Sequence, residues 1–386
     1  MKTILLVDDD ATVLEIYKQR FVQEGFQVQT ADDGLAAAKL LRESKPDLVV
    51  LDLMMPKLSG VEVLKFIRSQ PHLDATPVAI FTNLFMSELA EAANGLGVQR
   101  TIAKSECTPG ALISLARDIF AGETAPAEAS APAEPVVADS NAKVRQHFLS
   151  HAPDTLAALR TLHQEFIHSP DPAAALLKLE SYYRKVHFVA SVAGLAECHR
   201  IALLCSAFEA LLFELQERPT HIDPSVLNTI SMTLDFLEVL FDHTRGKCEE
   251  ERLAGRVLVV DDDPLSNHLV VAALRRARLE ARAAENPLIG LELLRRTVYD
   301  LVLLDIEMPH MTGFDLCRKL RTLPGYARTP VIYVTAHSDF ENRSKGILSG
   351  GNDLIAKPVF PIELAVKSVM HLLRSRLPTN AAGQGQ

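Results

Sequence analysis

The stretches KTILLVDDD (residues 2–10) and RVLVVDDD (residues 256–263) each place a short apolar run directly before a cluster of acidic residues. Consecutive branched apolar residues are typical of a strand that is buried on both faces of a parallel sheet. Further runs of this kind alternate with segments of helical periodicity, which predicts a doubly wound α/β fold that occurs twice. The predicted strands are residues 4–7, 27–31, 48–53, 77–82 and 100–103, and then 257–260, 280–284, 301–306, 330–335 and 353–356.

Seven residues of the first half recur in the second half at one fixed offset of 253 positions. No insertion or deletion disturbs this spacing, although the residues between the pairs differ widely. A spacing that is kept while its surroundings change indicates a geometric requirement, so we interpret the set as a duplicated active site. The pairs are Asp8 and Asp261, Asp9 and Asp262, Asp52 and Asp305, Pro56 and Pro309, Gly60 and Gly313, Thr82 and Thr335, and Lys104 and Lys357.

Three carboxylates of each set are expected to meet at one edge of a sheet. In the first set Asp8 and Asp9 follow the first predicted strand, and Asp52 lies near the end of the third. The carboxyl ends of parallel strands share the edge where ligands bind. Carboxylates gathered there repel one another unless a divalent cation compensates, and oxygen ligands with room for water favour Mg²⁺ over Zn²⁺. The counterparts in the second set are Asp261, Asp262 and Asp305.

A hydroxyl group and a fixed cation join the carboxylates at this edge. Thr82 ends the fourth predicted strand and Lys104 follows the fifth, as Thr335 and Lys357 do in the second half. A metal ion and a lysine can neutralise a transferring phosphoryl group while a carboxylate attacks it in line. The predicted product is an aspartyl phosphate on the carboxylate that ends the middle strand of each half.

At these residues both halves resemble the receiver domain of two-component response regulators. The resemblance covers roughly residues 1–121 and 255–375. It implies that Asp52 and Asp305 accept the phosphoryl group, and that the threonine and lysine of each half, Thr82 with Lys104 and Thr335 with Lys357, contact it. In that family the acid pair, the phosphorylated Asp and the backbone carbonyl two residues beyond it hold Mg²⁺. The implied ligands are Asp8, Asp9, Asp52 and Met54, and then Asp261, Asp262, Asp305 and Glu307.

The first half departs further from the receiver pattern than the second. Neither half has the usual Tyr or Phe three residues before the lysine, so an aromatic switch is not expected in either. Lys104 is followed by Ser105, whereas Lys357 is followed by Pro358, the residue that the family usually has. A cis peptide bond at this point is therefore expected only in the second half.

A linker and a helical region are predicted between the two α/β halves. Residues 122–140 are rich in Ala, Pro and Glu, a composition typical of an extended tether. From residue 141 to about 250, apolar residues keep intervals of three and four, which predicts a four-helix bundle. The predicted domains are therefore 1–121, 141–250 and 255–375, and residues 376–386 are expected to form a disordered tail.

His187 is the candidate for chemistry within the helical region. It lies beside the apolar stripe that contains Val186 and Ala190, so we expect it at the edge of the buried face, pointing to water. Its surroundings resemble histidine phosphotransfer domains, in which a helix-borne imidazole carries phosphate between receivers. Two positions depart from that family, because Ala190 stands where it usually has Lys and Ser191 where it usually has Gly. Other histidines here, such as His163, are expected on the surface.

Composition and charge narrow the classes of function. The formal net charge of −9 and the pI near 5.8 disfavour a nucleic-acid surface. No segment is apolar for long enough to span a bilayer, and Asp8 interrupts the first apolar run too early for a signal peptide. Five cysteines without a CxxC spacing favour a reducing cytoplasm.

The sequence contains no kinase, ATP-binding, DNA-binding or output-enzyme motif, so we expect the output to be a protein interaction. One hypothesis is a phosphorelay hub that receives phosphate from a sensor histidine kinase or a phosphotransfer protein and exchanges it through His187. Another is a phosphorylation-regulated adaptor that docks a downstream protein target, with the bundle as a passive spacer or homodimer interface. A third is a phosphate sink that drains a kinase by rapid hydrolysis of one aspartyl phosphate.

Overall fold

The computed structural model describes residues 1–55, 57–82, 92–104, 107, 109–121, 137–244, 255–277, 279–335, 348–358 and 360–377. Its contacts divide the chain into two compact units. The first comprises residues 1–159, 184–206 and 241–250, and the second comprises residues 160–183, 207–240 and 251–386. Each unit therefore contains one α/β half together with part of the central helical region.

The first unit contains a five-stranded parallel sheet. Its strands are β1 (Thr3–Val7), β2 (Gln27–Ala31), β3 (Leu48–Leu51), β4 (Val78–Thr82) and β5 (Arg100–Ala103), and its helices are α1 (Ala11–Gln23), α2 (Gly34–Glu43), α3 (Gly60–Ser69) and α4 (Pro109–Ala121). The strand order is β2-β1-β3-β4-β5. The order reverses between β1 and β3, which is the position where open α/β sheets bind ligands.

Alternate residues of the first strand bury themselves on opposite faces of this sheet. Leu5 and Val7 belong to a core cluster that includes residues of α2 and α3. Ile4 and Leu6 belong to a second cluster that includes residues of α1 and α4. The two-residue period of a strand thus covers both faces, which confirms the predicted doubly wound α/β class.

The second unit repeats this sheet with the same connectivity. Its strands are β6 (Arg256–Val260), β7 (Glu280–Ala284), β8 (Leu301–Asp305), β9 (Val331–Thr335) and β10 (Asp353–Ala356), in the order β10-β9-β8-β6-β7. Its helices are α10 (Pro264–Arg276), α11 (Pro287–Arg296), α12 (Gly313–Arg321) and α13 (Pro361–Ser375). Helices α5 to α9 precede them in the chain and form the central region, which is described below. The bond between Lys357 and Pro358 is cis, as expected. Ser105, its counterpart in the first half, lies outside the described residues.

The central region is helical. It comprises α5 (Val137–Ser150), α6 (Ala152–Ile167), α7 (Pro172–Leu195), α8 (His199–Glu217) and α9 (Pro224–Thr244). Because α5 begins at Val137, the last four residues assigned to the predicted linker are helical instead. Pro135 is the last proline of the predicted linker, so no proline interrupts a helix that begins at Val137. Residues 122–136 of the linker and 378–386 of the tail lie outside the described residues.

Two further features of the second unit bear on function. His163 on α6 is buried, contrary to the prediction, with Nε2 3.0 Å from Ser231 Oγ, and burial lowers its pKa. The hydroxyl groups of Ser225 and Thr229 on α9 donate to the buried Glu363 carboxylate of α13 at 2.7 and 2.8 Å. The last helix of the second α/β half is thereby anchored to α9. No helix in the described part of the chain is both long and apolar enough to cross a membrane.

Candidate active sites

The first site lies at the carboxyl edge of the first sheet. Strands β1 and β3 are adjacent, so Asp8 and Asp52 come together directly after them. Lys104, which follows β5, places its Nζ 2.8 Å from Asp8 Oδ2 and 2.5 Å from Asp52 Oδ2. The backbone N–H of Met54 donates to the other oxygen of Asp52 at 3.1 Å. The lysine thus bridges the two carboxylates, and all three side chains are buried.

Burial dominates the electrostatics of this site. It raises the pKa of Asp8 to about 6, because the nearby Asp52 adds to the effect and Lys104 only partly offsets it. Burial also raises the pKa of Asp9. For Lys104, burial opposes the charged form, but the attraction of Asp52 and Asp8 outweighs it and raises the pKa above its usual value. The positive charge of Lys104 therefore does not fully compensate the negative charges of the carboxylates at this site.

The third acid of each Asp triplet has a structural role. Asp10 precedes α1, and its side chain accepts hydrogen bonds from the backbone N–H groups of Thr12 and Val13 at 2.8 and 3.2 Å. Asp263 caps α10 in the same way. Capping a helix N-terminus in this manner satisfies backbone donors that have no partner within the helix. The acid pair available at each site is thus the one predicted from the sequence.

Close backbone contact explains why a glycine recurs in each half. A Cβ atom at Gly60 would lie 2.0 Å from the carbonyl oxygen of Asp52, and one at Gly313 would lie 2.1 Å from that of Asp305. Backbone atoms cannot move away as a flexible side chain could. Glycine at the start of α3 and of α12 is therefore required by the position of the predicted phosphoryl acceptor.

Thr82 and Thr335 lie where the sequence predicts them, at the ends of β4 and β9. Both are buried. The Oγ1 atom of Thr82 has no hydrogen-bond partner among the described residues. A buried hydroxyl without a partner costs about 1–3 kcal/mol, so it indicates a position at which a polar ligand can bind.

The predicted orientation of His187 is wrong. This residue is only 6% exposed, and its Nε2 lies 3.8 Å from Asp9 Oδ1 and 4.0 Å from Asp52 Oδ2. The reason is that the second half of α7 packs against the first α/β half within the first unit. Leu195, two turns further along α7, belongs to the same buried cluster as Val13 of α1. The imidazole is thereby held over the acidic edge of the sheet instead of pointing to water.

The second site has the same plan but is more open. Lys357 Nζ lies 2.7 Å from Asp261 Oδ2 and 2.8 Å from Asp305 Oδ2, and burial raises the pKa of Asp305. The Lys357 side chain is 24% exposed, compared with 1% for Lys104. In addition, the Ser266 hydroxyl donates to Asp261 Oδ2 at 2.6 Å. The charge of the second acid cluster is therefore better solvated.

Two polar residues that were not predicted contribute to this difference between the sites. Besides Ser266, the side chain of Asn267 donates to the backbone oxygen of Asp261 at 2.7 Å. At the offset of 253 positions the first half has Val13 and Leu14, whose side chains cannot form hydrogen bonds. A comparison of the two halves beyond the seven identical pairs would have found this signal.

The chemistry of the donor groups fits a hard divalent cation at both sites. Asp8, Asp9, Asp52 and His187 can each offer one ligand atom within 4.8 Å of one another, as can Asp261, Asp262 and Asp305. The Oδ1 atom of Asp9 is buried and has no hydrogen-bond partner among the described residues. The backbone N–H of Glu307 donates to Asp305 Oδ1 at 3.3 Å, matching Met54 in the first site. The carboxylate oxygens are ligands that Mg²⁺ prefers.

Comparison with known proteins identifies the two α/β halves. The family model for the response regulator receiver domain matches residues 4–117 and 257–368, so the chain belongs to this family and contains the domain twice. It is 34% identical over 125 residues to the response regulator PleD of Caulobacter vibrioides, an alignment that covers 32% of this chain and 27% of PleD. It is 34% identical over 111 residues to the signal transduction histidine-protein kinase BarA of Escherichia coli, covering 29% of this chain and 12% of BarA.

Solved structures include similar single domains. The receiver domain of the Francisella response regulator 1452 is 28% identical to this chain. The match covers 32% of this chain and 99% of the Francisella domain, with a TM-score of 0.30.

Proposed function

We propose that this chain is a two-component phosphorelay protein in which Asp52 and Asp305 accept phosphoryl groups and His187 exchanges phosphate with Asp52. The observation that carries the proposal is the 4.0 Å distance from His187 Nε2 to Asp52 Oδ2 within one compact unit. A phosphorus atom midway between the two atoms would lie about 2 Å from each, a separation suited to a loose in-line transfer.

The transfer step uses groups already in contact. From a phosphorylated His187, the bond between phosphorus and Nε2 breaks, and a bond forms between phosphorus and an oxygen of the Asp52 carboxylate. The electron pair of the broken bond remains on the imidazole, which is a good leaving group and, in the reverse step, a good neutral nucleophile. Lys104, which contacts Asp52, keeps its proton and offsets the negative charge of the phosphoryl oxygens.

We further propose that Mg²⁺ is bound at both receivers. Asp8, Asp9, Asp52 and the backbone carbonyl of Met54 would hold it in the first receiver. When bound, the ion supplies positive charge that neutralises the phosphoryl oxygens. It would also offset the repulsion between buried carboxylates that raises the pKa of Asp8. The corresponding groups in the second receiver are Asp261, Asp262, Asp305 and the carbonyl of Glu307.

In this proposal Asp305 is the entry point for phosphate from a sensor histidine kinase or a phosphotransfer protein in the cytoplasm. The exposure of the second site supports this role of Asp305. Asp262 is exposed, and the Lys357 side chain is 24% exposed. Asp52, by contrast, is 1% exposed beneath His187. An external protein would therefore reach Asp305 without first separating α7 from a receiver.

A second function, a phosphorylation-regulated adaptor, is favoured by the contact between α9 and α13. The Glu363 carboxylate accepts hydrogen bonds from Ser225 and Thr229, and α13 is buried from Glu363 to Leu373. A change at the second receiver could alter the helical region through this contact without any transfer to His187. In that case the helices would present a docking surface to a downstream protein.

Phosphohistidine formation distinguishes the two functions. Acetyl phosphate loads aspartates, so phosphohistidine can form in its presence with Mg²⁺ only by transfer from an aspartyl phosphate. We expect acid-labile, base-stable phosphate in the wild type and none in His187→Ala, as measured by intact mass after acid or base treatment. Asp52→Asn and Asp305→Asn, alone and combined with His187→Ala, identify the donor aspartate. If every chain carries only base-labile phosphate, the relay is excluded and the adaptor is favoured.

A further inference from the structure

Ser191 lies one helical turn beyond His187 on the side of α7 that faces the first receiver. Residues four positions apart share one face of a helix, so His187, Ser191 and Leu195 form a continuous stripe. His187, at one end of this stripe, contacts the acidic site. Leu195, at the other end, belongs to the buried cluster that includes Val13 of α1. Ser191 is therefore enclosed between two residues that contact the receiver, and it is only 2% exposed.

The Ser191 hydroxyl is unusual because it is buried without a hydrogen-bond partner among the described residues. Serine within a helix commonly bonds to the carbonyl oxygen one turn earlier, and this would have satisfied it. Side chains of a helix lean toward its N-terminus, so the Ser191 hydroxyl lies over the turn between His187 and Ser191. An unsatisfied buried hydroxyl is costly, and such groups in native proteins call for an explanation.

We propose that the Ser191 hydroxyl donates a hydrogen bond to the phosphoryl group as it moves between His187 and Asp52, an inference that rests on the proposed relay. The hydroxyl binds one of the three phosphoryl oxygens that do not change partners and keeps its proton throughout. Charge on these oxygens persists while the bond from phosphorus to Nε2 breaks and the bond to the carboxylate forms. A donor fixed at this position stabilises the transition state without reorganisation.

The composition of the site explains why such a donor would be needed. Ala190 leaves α7 without the lysine that histidine phosphotransfer domains usually place three residues after the histidine. Lys104 is the cation that contacts the first acid site, and it comes from the receiver. Thr82, also on the receiver, provides an unpartnered hydroxyl at the carboxyl edge of the sheet. Ser191 would be the only one of these donors carried by the helix that bears His187.

The test measures transfer from His187 to Asp52 in the full chain, with Asp305→Asn introduced so that Asp52 is the only acceptor. His187 is loaded with phosphoramidate, excess donor is removed, and loss of phosphohistidine is followed after Mg²⁺ is added. We expect Ser191→Ala and Ser191→Gly to slow transfer by a factor on the order of ten or more. Ser206→Ala is the matched control, because the Ser206 hydroxyl on α8 is also buried without a partner among the described residues.

A second readout does not depend on the rate. With both acceptor aspartates replaced by Asn, the ³¹P resonance of phosphohistidine should shift in Ser191→Ala and stay unchanged in Ser206→Ala. Wild-type rates together with an unshifted resonance in both Ser191 variants would overturn the inference while leaving the relay intact. If the parent chain, with Ser191 present, shows no transfer from His187 to Asp52, the proposed function itself fails and the inference fails with it.

Discussion

Replacing Asp8 by Asn should stabilise the first receiver in the absence of Mg²⁺. The pKa of Asp8 in the folded chain is raised from its usual value of 3.8 to about 6, and burial is the largest cause. Between these two values the folded state binds more protons than the unfolded state, so stability falls as the pH rises through this window. At pH 7 the ionised carboxylate therefore destabilises the fold by about 3 kcal/mol, which Asp8→Asn would remove.

Amide hydrogen exchange of β1 and β3 in the full chain measures this effect locally, as is needed for a chain with more than one domain. In EDTA at pH 7, we expect Asp8→Asn to slow exchange in both strands. The difference should shrink near pH 4, where Asp8 is protonated, and it should also shrink when Mg²⁺ is added to the wild type. Faster or unchanged exchange at pH 7 would refute the reasoning.

Asp261→Asn provides the matched control for this prediction. Asp261 occupies the same position in the second receiver, but it accepts a hydrogen bond from the Ser266 hydroxyl at 2.6 Å, where the first receiver has Val13. Its partner Lys357 is also more exposed than Lys104. Because the Ser266 hydroxyl stabilises the Asp261 carboxylate, replacing Asp261 should produce no comparable stabilisation. Asp8 and Asp261 are equally buried, so equal stabilisation in both receivers would show that the Ser266 hydrogen bond does not offset the cost of burial.

Three further predictions follow from specific contacts. His187→Ala should speed the loading of Asp52 by acetyl phosphate several-fold, because the imidazole covers the acceptor. Intact mass in the Asp305→Asn chain measures this loading, and an unchanged rate would contradict the prediction. Glu363→Ala should weaken the contact between α9 and α13 by about 2 kcal/mol, because two hydroxyl donors lose a charged acceptor. Faster amide hydrogen exchange in α13 would show this weakening. Gly60→Ala should abolish loading of Asp52 without affecting the other receiver, because the added Cβ meets a backbone oxygen at 2.0 Å.

The sequence predicted both α/β halves closely because their central strands, such as β3 (Leu48–Leu51) and β8 (Leu301–Asp305), are strongly apolar. The more polar edge strands were also predicted. Strand β2 (Gln27–Ala31) and strand β7 (Glu280–Ala284) agree with the predicted bounds, and β3 ends two residues earlier than predicted. The fixed offset also identified the carboxylates and lysines that meet at each edge. Strand ends in a parallel sheet converge by topology alone, so this placement needs no knowledge of side-chain packing.

The position of His187 could not be predicted in the same way. Helical periodicity shows which side of α7 is apolar, but it does not show which neighbour covers that side or covers its edge. The burial of His187 depends on packing between α7 and a receiver that is more than sixty residues earlier in the chain. The different solvation of the two acid clusters was also missed, because it depends on Ser266 and Val13, which lie outside the identical pairs.

The lifetime of phosphate on His187 tests the central claim most directly. Wild-type chain and Asp52→Asn are loaded with phosphoramidate, freed of excess donor and incubated with Mg²⁺, with Asp305→Asn as a control for the other acceptor. Because Asp52 Oδ2 lies 4.0 Å from His187 Nε2, we expect phosphohistidine to decay faster in the wild type and in Asp305→Asn than in Asp52→Asn, with transient aspartyl phosphate. Equal lifetimes in all three chains, with no phosphate on Asp52, would contradict the account.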